Sequence, residues 1–539
     1  DTEYTYSSDG KLTGVTDGIG TVQTVTYDAD GNAASTTNGA GETASYTYDK
    51  DGRCTSVTVS RIENGETLTF TSTYNYNEAG DIIQSVDNSG NVTAYEYDAD
   101  GNMIASTDAK GRRITYEYDD LGNTVKTAYP DGTCETFDYD ANDNNTSATD
   151  RSGQTVQMEY DKLNRLTKKT YADGTSETYT YDAAGNVTSV TGTGGGKTTY
   201  AYDCRGRNTS VTDALGNTTV FAYDEASRLV SQTDALGGVT SYEYDDNGNV
   251  TKTTYADGNS VTAKYDARSR ITEQKDQNGS KTEYAYDGAD RLAGVTDADG
   301  GTYTYGYDGN GNLATVTDAL GNTTTYTYDA GGRVSTVKNA LGGTASYVYD
   351  ETGNVAKYTD CAGNVTTYVY DDMDRLTEKN VSGEKTSYTY SKAGLLTKVT
   401  DGMGTVSFSY DSYGRLTGKT DAAGNKLTYT YDKCGRLSSM DNGFGGTKYE
   451  YDIMDRVTRV IDRNGQATVY EYDALGNRSA VCYPNGNVMT YTYDACSRLK
   501  EECILNADGV TLAKYTYGLG KAGERLSVTD ITNGIETDI

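Results

Sequence analysis

The sequence contains no histidine and no tryptophan, and it has only 2 prolines and 5 phenylalanines among its 539 residues. Imidazole is the usual general base near neutral pH and a frequent metal ligand. Its absence excludes Ser-His-Asp and Cys-His catalysis and every zinc site that needs histidine. The sequence therefore offers no catalytic, cofactor-binding or metal-binding residues, and we expect a protein that is not an enzyme.

Positive charge is also scarce, since 47 basic side chains face 79 acidic ones and the formal net charge is −32. A surface of this sign repels phosphate backbones and anionic lipids, so we expect no nucleic-acid partner. No run of 18 apolar residues occurs, which excludes a membrane-spanning helix. The first ten residues, DTEYTYSSDG, do not form a signal peptide.

Glycine and tyrosine dominate instead, with 62 and 51 copies, because one short unit is repeated. Tyr-Asp pairs recur every 21 residues from Tyr97 to Tyr370, and 25 such units can be counted from Tyr6 to Tyr517. We interpret residues 1–539 as a single repeat array, and as a fragment of a longer chain.

Each unit predicts two β-strands and two turns. In the unit Tyr307–Thr327, two stretches rich in Thr, Val and Tyr are separated by the Asp-x-x-Gly turns Asp308–Gly311 and Asp318–Gly321. No segment has a sustained helical period. The predicted fold class is all-β: tandem two-strand units forming one continuous antiparallel sheet, which must spiral into a hollow superhelical shell or tube because twist accumulates.

The odd period of 21 residues adds a constraint. Two strands of equal paired length and two identical three-residue turns cannot add up to an odd number. We therefore expect each unit to contain a β-bulge or one even-length loop, because otherwise side chains would change faces from unit to unit.

Aromatic columns are expected to hold the sheet together. The Tyr that opens each unit is preceded two residues earlier by Tyr or Phe in 22 of 25 units, and an aliphatic column follows the first turn. The residue after the first turn is Arg in 12 units. That guanidinium could stack on the adjacent Tyr or pair with the turn Asp, or it could simply be a solvated turn flank.

Length changes fall around the second turn of a unit. The unit from Tyr48 gains seven residues, that from Tyr493 gains three, and those from Tyr370, Tyr390 and Tyr431 each lose one. We infer that first turns lie at a constrained rim or contact, whereas second turns project where length is tolerated.

Three motifs resemble sites but have simpler explanations. The acidic segments Asp28–Asn32 and Asp140–Asn144 lack the complete calcium-loop pattern and are explained as turns. Gly192–Thr198 is one residue too short for a phosphate loop and has no helix after it. The eight cysteines lie at scattered unit positions, and we expect free thiols.

Segments such as Tyr431–Leu437 and Tyr410–Leu416 carry the pattern YDxxGRL. The chain thereby resembles the YD-repeat (RHS-repeat) proteins: the rearrangement-hotspot and wall-associated proteins, related to toxin-complex C subunits and teneurins. The resemblance implies a secreted or cell-surface protein with a hollow β shell, which in the toxin members encloses a C-terminal toxin polypeptide. The family's closing DPxGL-type segment and self-cleavage site are not found in this sequence.

Two functions remain open at this stage. The chain could be the shell segment of a polymorphic toxin, with an encapsulated toxin polypeptide or flanking segments of the same chain as partner. Alternatively, it could be an extracellular stalk, fibre or adhesin that self-associates or binds glycans through its Tyr ladders.

Overall fold

The computed structural model describes residues 2–63, 66–532 and 535–538, with the side chains of 61–68 and 535–538 outside that description. The described residues form strands and turns without a helix, in agreement with the predicted all-β class. No helix among them could cross a membrane. The strands are β1 Glu3–Tyr6, β2 Leu12–Thr16, β3 Thr21–Tyr27, β4 Ala33–Asn38, β5 Thr43–Tyr48, β6 Cys54–Glu63, β7 Glu66–Tyr76, β8 Ile82–Val86, β9 Val92–Tyr97, β10 Met103–Thr107, β11 Arg113–Tyr118, β12 Thr124–Ala128, β13 Cys134–Tyr139, β14 Asn145–Thr149, β15 Thr155–Tyr160, β16 Leu166–Thr170, β17 Ser176–Tyr181, β18 Val187–Thr191, β19 Lys197–Tyr202, β20 Asn208–Thr212, β21 Thr218–Tyr223, β22 Leu229–Thr233, β23 Val239–Tyr244, β24 Val250–Thr254, β25 Ser260–Tyr265, β26 Ile271–Lys275, β27 Lys281–Tyr286, β28 Leu292–Thr296, β29 Thr302–Tyr307, β30 Leu313–Thr317, β31 Thr323–Tyr328, β32 Val334–Lys338, β33 Thr344–Tyr349, β34 Val355–Thr359, β35 Val365–Tyr370, β36 Leu376–Val381, β37 Glu384–Tyr390, β38 Leu396–Asp401, β39 Gly404–Tyr410, β40 Leu416–Thr420, β41 Lys426–Tyr431, β42 Leu437–Asp441, β43 Gly446–Tyr451, β44 Val457–Ile461, β45 Ala467–Tyr472, β46 Arg478–Cys482, β47 Val488–Tyr493, β48 Leu499–Leu505, β49 Thr511–Leu519, β50 Arg525–Asp530 and β51 Ile535–Asp538.

Each strand pairs antiparallel with the next strand in the chain, so the fold is one continuous sheet. Across the first turn, Tyr181 of β17 lies opposite Val187 of β18, while Thr180 lies opposite Ser189, so Thr188 is an extra residue. This β-bulge recurs in successive units, for example at β19–β20 and β21–β22. The expected bulge is confirmed, and it keeps every Tyr column on one face despite the odd period.

The typical first and second turns are otherwise alike. In the first turn of the Tyr181 unit, the Gly185 N–H donates to the Asp182 carbonyl and the Asp182 N–H to the Asn186 carbonyl. In the preceding second turn, Gly174 and Tyr171 repeat this pattern. Both turns need a left-handed residue, and Gly185 and Gly174 have φ of 95° and 81°.

The sheet is a single layer without a conventional core. The buried apolar residues among those described are few and mostly small, such as Ala105, Ala345 and Val481, and no large side chain there is fully buried. Two sheet regions packed face to face would bury their inner side chains in a layer about 10 Å thick. The wall therefore encloses a space rather than collapsing onto itself.

The sheet winds around that space and returns after about 12 units. Lys110 reaches Asp350 at a sequence separation of 240, and Arg268 reaches Asp17 at a separation of 251. About 24 strands per revolution, at about 4.8 Å each, give a circumference of about 115 Å and a backbone diameter of about 37 Å. The predicted spiral shell is thus confirmed, and its 25 units make about two coils.

The coils explain where the unit length changes. Residues 17–280 supply the second turns of the first coil, which contact the first turns of the second coil, within residues 266–524. The expectation that second turns simply project is therefore wrong for the first coil. Four of the five length changes lie in second turns beyond Asp297, where no described coil covers them; at one of these, Ser382 and Gly383 form a two-residue turn between the paired Val381 and Glu384.

Candidate functional site

The Asp of each typical turn caps the turn with its own side chain. The Asp182 Oδ1 accepts the backbone N–H groups of Ala184 and Asn186 at 2.9 Å each, and Asn186 Nδ2 donates to Asp182 Oδ2. The hydrogen bond from Asn186 and the backbone N–H groups hold the pKa of Asp182 below its usual range. These contacts need no metal, which fits the turn interpretation of the acidic segments Asp28–Asn32 and Asp140–Asn144.

The Arg that follows the first turn makes three contacts at once. Arg165 donates through Nε to Asp161 Oδ2 at 2.8 Å and through Nη1 to the Asp182 carbonyl at 3.0 Å, and it stacks 4.6 Å from the ring centre of Tyr181. Both interactions considered from the sequence therefore occur together, and the solvated-flank alternative is wrong. Arg165 thus links one first turn to the next. The same stacking is made by Arg53, Arg207, Arg228, Arg270, Arg291, Arg333, Arg375, Arg415, Arg436 and Arg456.

The Tyr that opens each unit has a role that the sequence did not reveal. The Tyr181 hydroxyl donates to the Leu166 carbonyl at 2.7 Å, where the ladder between β16 and β17 has already ended at Lys168 opposite Thr178. The hydroxyl therefore provides a hydrogen bond to the Leu166 carbonyl beyond the end of the ladder between β16 and β17. This hydrogen bond occurs in 23 units. The sequence carries one sign of this role. Phe replaces Tyr only at the position two residues before the Tyr that opens a unit, as at Phe137, Phe221 and Phe408, and never at the opening Tyr itself.

Second turns of the first coil and first turns of the second coil meet along a line that we call the seam. Arg268 forms an ion pair with Asp17, and Arg291 Nη1 lies 2.8 Å from Glu42 Oε1. Lys110 Nζ lies 2.8 Å from Asp350 Oδ2. Further pairs are Arg112 with Asp374 and Arg498 with Asp257, at 2.8 and 2.7 Å.

Charge at the seam is matched and partly shielded from water. Hydrogen bonding to Arg268 holds the pKa of Asp17 well below its usual range. Burial would raise the pKa of Asp350, but hydrogen bonds from Lys110 and Asn354 outweigh it and lower that pKa strongly. The seam thus joins the coils by ionic contacts that stay formed at neutral pH.

Two glycines bring the backbones of the coils together at the seam. A Cβ on Gly288 would lie 2.5 Å from the Gly39 carbonyl oxygen, and one on Gly39 would lie 2.2 Å from the Gly288 carbonyl oxygen. No side chain fits in that space without moving backbone. The coils are therefore in direct contact and leave no side-chain-sized gap there.

The family model described as Teneurin YD-shell matches residues 108–254 and 319–447, about half of the chain. This chain belongs to the YD-shell family. The model described as RHS Repeat matches shorter stretches of it, namely residues 6–43, 27–61, 76–113, 265–302, 451–488 and 472–511. No curated protein matches the chain.

A solved structure shares the fold of this YD-shell. The Tc holotoxin pore of Photorhabdus luminescens aligns over 99% of this chain and 33% of its own chain, with 14% identity and a TM-score of 0.52. The TcdB2–TccC3 complex aligns over 99% of this chain and 41% of its own, with 14% identity and a TM-score of 0.38. This YD-shell therefore spans a third to two fifths of the length of those chains, and at this identity the likeness concerns the fold.

The remaining motifs of the YD-shell lie within ordinary turns. Gly192–Gly196 forms an ordinary second turn, in which the Gly195 N–H donates to the Gly192 carbonyl. The residues that replace the turn Gly adopt the same left-handed conformation, including Ser227, Ser269 and Ser497 at φ of 66°, 59° and 60°. All eight cysteines are free, as expected.

Proposed function

We propose that this YD-shell segment is the wall of a compartment that holds a polypeptide away from its surroundings, such as a toxin segment supplied by flanking parts of the same chain. The seam is the single observation that carries this proposal. A stalk needs only a continuous sheet, whereas a container also needs successive coils to meet without gaps. The chain acts by shape, outside the cell or at its surface, and carries out no reaction of its own.

The dimensions of the wall support exclusion of proteases. A backbone diameter of about 37 Å, less about 5 Å of side chain on each side, leaves a bore of about 27 Å. A folded protease of about 280 residues has a radius of gyration of about 19 Å, hence a diameter near 48 Å. An extended or loosely packed polypeptide fits inside this bore, and a folded protease does not.

The glycan-binding alternative has less support. In the column that opens each unit, one ring face is covered by Arg where Arg is present, and the hydroxyl is used by a backbone carbonyl, as for Tyr181 and Tyr223. A sugar stacking on these rings would have to displace both contacts. We therefore favour the compartment.

The test is protection of a tethered polypeptide. An unstructured segment of about 100 residues with many proteinase K sites would be fused after Ile539, and its cleavage compared with that of the same segment fused to an unrelated soluble protein. We expect cleavage to be at least tenfold slower on the shell. Equal rates on both carriers would overturn the compartment.

A matched pair of variants separates the wall from simple tethering. Gly288→Ala forces backbone apart at the seam, whereas nothing lies within 4 Å of a Cβ at Gly402, outside the seam. We expect Gly288→Ala to lose much of the protection and Gly402→Ala to keep it. Circular dichroism would verify that both variants retain the sheet.

A further inference from the structure

Two tyrosine rings lie against each other at one place in the described part of the sheet. Tyr347 of β33 and Tyr358 of β34 are directly opposite each other, and their ring centres are 5.0 Å apart with the ring planes tilted by 42°. Aromatic pairs have ring centres about 4.5 to 7 Å apart, so this separation is near the short end of that range. The two phenols are therefore close neighbours on one face of the wall.

This contact exists because Tyr358 departs from the repeat. The same position holds Val in the two preceding units, where Val316 lies opposite Tyr305 and Val337 lies opposite Tyr326. Tyrosines of one column in successive units are two strands apart, about 9.6 Å. A second Tyr directly opposite the first brings two phenols together, whereas the regular repeat keeps them separated.

The neighbouring tyrosine on the same strand is directed to the other side. The Tyr349 hydroxyl donates to the Val334 carbonyl of β32 at 2.8 Å, and Arg333 stacks 4.6 Å from the centre of the Tyr349 ring. The Tyr347 ring instead meets the Tyr358 ring on β34. Both members of the pair are half-buried, so small solutes in the surrounding water can reach them.

We propose that Tyr347 and Tyr358 form a site of oxidative cross-linking, at which a one-electron oxidant joins them as dityrosine. Each phenol gives one electron to one equivalent of oxidant and one proton to water. The two phenoxyl radicals then form a carbon–carbon bond between the ring positions next to their oxygens. The hydrogen on each coupled carbon moves back to its oxygen, so the product has two phenols and is two hydrogens lighter than the reduced pair.

The register of the two strands favours this coupling. Ser346 lies opposite Thr359 and Val348 lies opposite Lys357, so the ladder holds the pair from both sides. Two reactants held next to each other react as if in a single-molecule step, which lets the radicals couple before either is reduced again. The bond would join β33 to β34 covalently. This proposal is separate from the compartment, whose protection test does not depend on these two residues.

Oxidation by photogenerated tris(bipyridyl)ruthenium(III), with persulfate as the final electron acceptor, tests the proposal. Accessible thiols are first blocked with iodoacetamide, because thiols reduce phenoxyl radicals. Trypsin places Tyr347 in the peptide 339–357 and Tyr358 in the peptide 358–375. We expect these two peptides to be joined and two hydrogens lighter than their sum, with the blue fluorescence of dityrosine. Fragmentation of the joined peptides assigns the linked residues.

Matched variants make the test specific. Tyr358→Phe keeps a ring but lacks the phenol, and it should lower the yield of this joined peptide at least tenfold. Tyr326→Phe changes the same column as Tyr347 one unit earlier and should leave the yield unchanged. Val337→Tyr places a second phenol opposite Tyr326 and should create a second cross-link there. Equal losses in the two Phe variants would contradict a site set by the pair.

Two further results would overturn the proposal. One is linkage through Tyr349 or Tyr368 in place of Tyr347 and Tyr358, since these tyrosines lie in the same two peptides. The other is a yield that falls when the protein is diluted, because that would place the bond between molecules. A cross-link confined to the monomer and independent of dilution supports the pair. Far-UV circular dichroism would establish that all variants keep the sheet.

Discussion

The two edges of the sheet have the same kind of turn but differ in how neighbouring units are linked. At the first-turn edge, Arg165 and Tyr181 tie each turn to the next through a carboxylate, a ring and two backbone carbonyls. At the second-turn edge, recurring contacts stay within the turn, as where Asp213 accepts the N–H groups of Leu215 and Asn217. Arg151, which binds Asp131, is a local exception.

This difference explains why one edge keeps its length and the other does not. A residue lost from a first turn would displace an Asp, an Arg and a Tyr whose contacts connect two successive units. A residue lost from a second turn changes only that turn, as the short turn at Ser382 and Gly383 shows. Five predictions test this comparison, from the largest expected effect to the smallest.

Raising the pH should produce the largest loss of stability because it ionises tyrosines in many units together. Burial raises the pKa of Tyr328, Tyr349 and Tyr370, whose hydroxyls donate to backbone carbonyls. A folded pKa above the unfolded value of about 10 means that this stability is present below pH 10 and lost as pH rises through the folded pKa. We expect cooperative unfolding above pH 10, with tyrosinate absorbance rising together with loss of the sheet signal.

Acid should destabilise the turns at both edges equally. Acid titration is therefore the control for the alkaline titration. Asp119 in a first turn and Asp360 in a second turn both have a pKa lowered by hydrogen bonds, chiefly from the backbone N–H of Asn123 and the side chain of Asn364, respectively. Their contribution is present above about pH 4 and lost as pH falls through the folded pKa. Hydrogen exchange between pH 5 and 3 should therefore show both kinds of turn opening together, and protection lost at one edge alone would contradict this.

Single-residue deletions should distinguish the edges most directly. Ala184 lies in a first turn and Ala423 in a second turn, and both turns lie outside the seam. Deleting Ala184 removes hydrogen bonds that serve two units, so we expect it to lower the free energy of unfolding by roughly 2 kcal/mol more than deleting Ala423. Urea unfolding measures both, and equal losses would show that the two edges tolerate length equally.

Replacing one guanidinium should have an intermediate effect. Arg165→Ala removes the ion pair, the stacking on Tyr181 and the bond to the Asp182 carbonyl, and we expect a loss of about 1 to 2 kcal/mol. Arg165→Lys keeps the charge but not the planar fork, so it should recover less than half of this loss. Full recovery by lysine in urea unfolding would show that charge alone matters.

Removing a single hydroxyl should have the smallest effect. The Tyr202 hydroxyl donates to the Val187 carbonyl at 2.9 Å, so Tyr202→Phe should cost about 1 kcal/mol. Tyr200→Phe changes the other column on the same strand, β19, and should cost less than about 0.5 kcal/mol. Similar losses for both variants would mean that the hydroxyl bond to the carbonyl contributes no more stability than a hydroxyl in the other column.

Much of this fold could be predicted from the sequence because the repeat makes every local rule visible many times. The turn positions and the need for a bulge or an even-length loop follow from one unit such as Tyr307–Thr327. The contacts of residues such as Arg165 were among the alternatives that the sequence offered. The seam could not be predicted, since the pairing of Asp17 with Arg268 depends on the curvature accumulated over 12 units. The hydroxyl bond of Tyr181 could not be predicted because it depends on where the ladder between β16 and β17 ends.

The 12-unit spacing of the seam also restricts how such a gene can change its length. Tandem repeats gain and lose whole units by unequal recombination, and a unit added between Asp17 and Arg268 would leave the sheet intact. Where that unit is added after Glu42, it would nevertheless move each first turn whose partner precedes the insertion one step away from that partner, so that Arg291 would no longer face Glu42 and Gly288 would no longer meet Gly39. The number of repeats within one revolution is thus constrained by contacts between residues some 250 positions apart. Repeats added at either end leave those contacts in place.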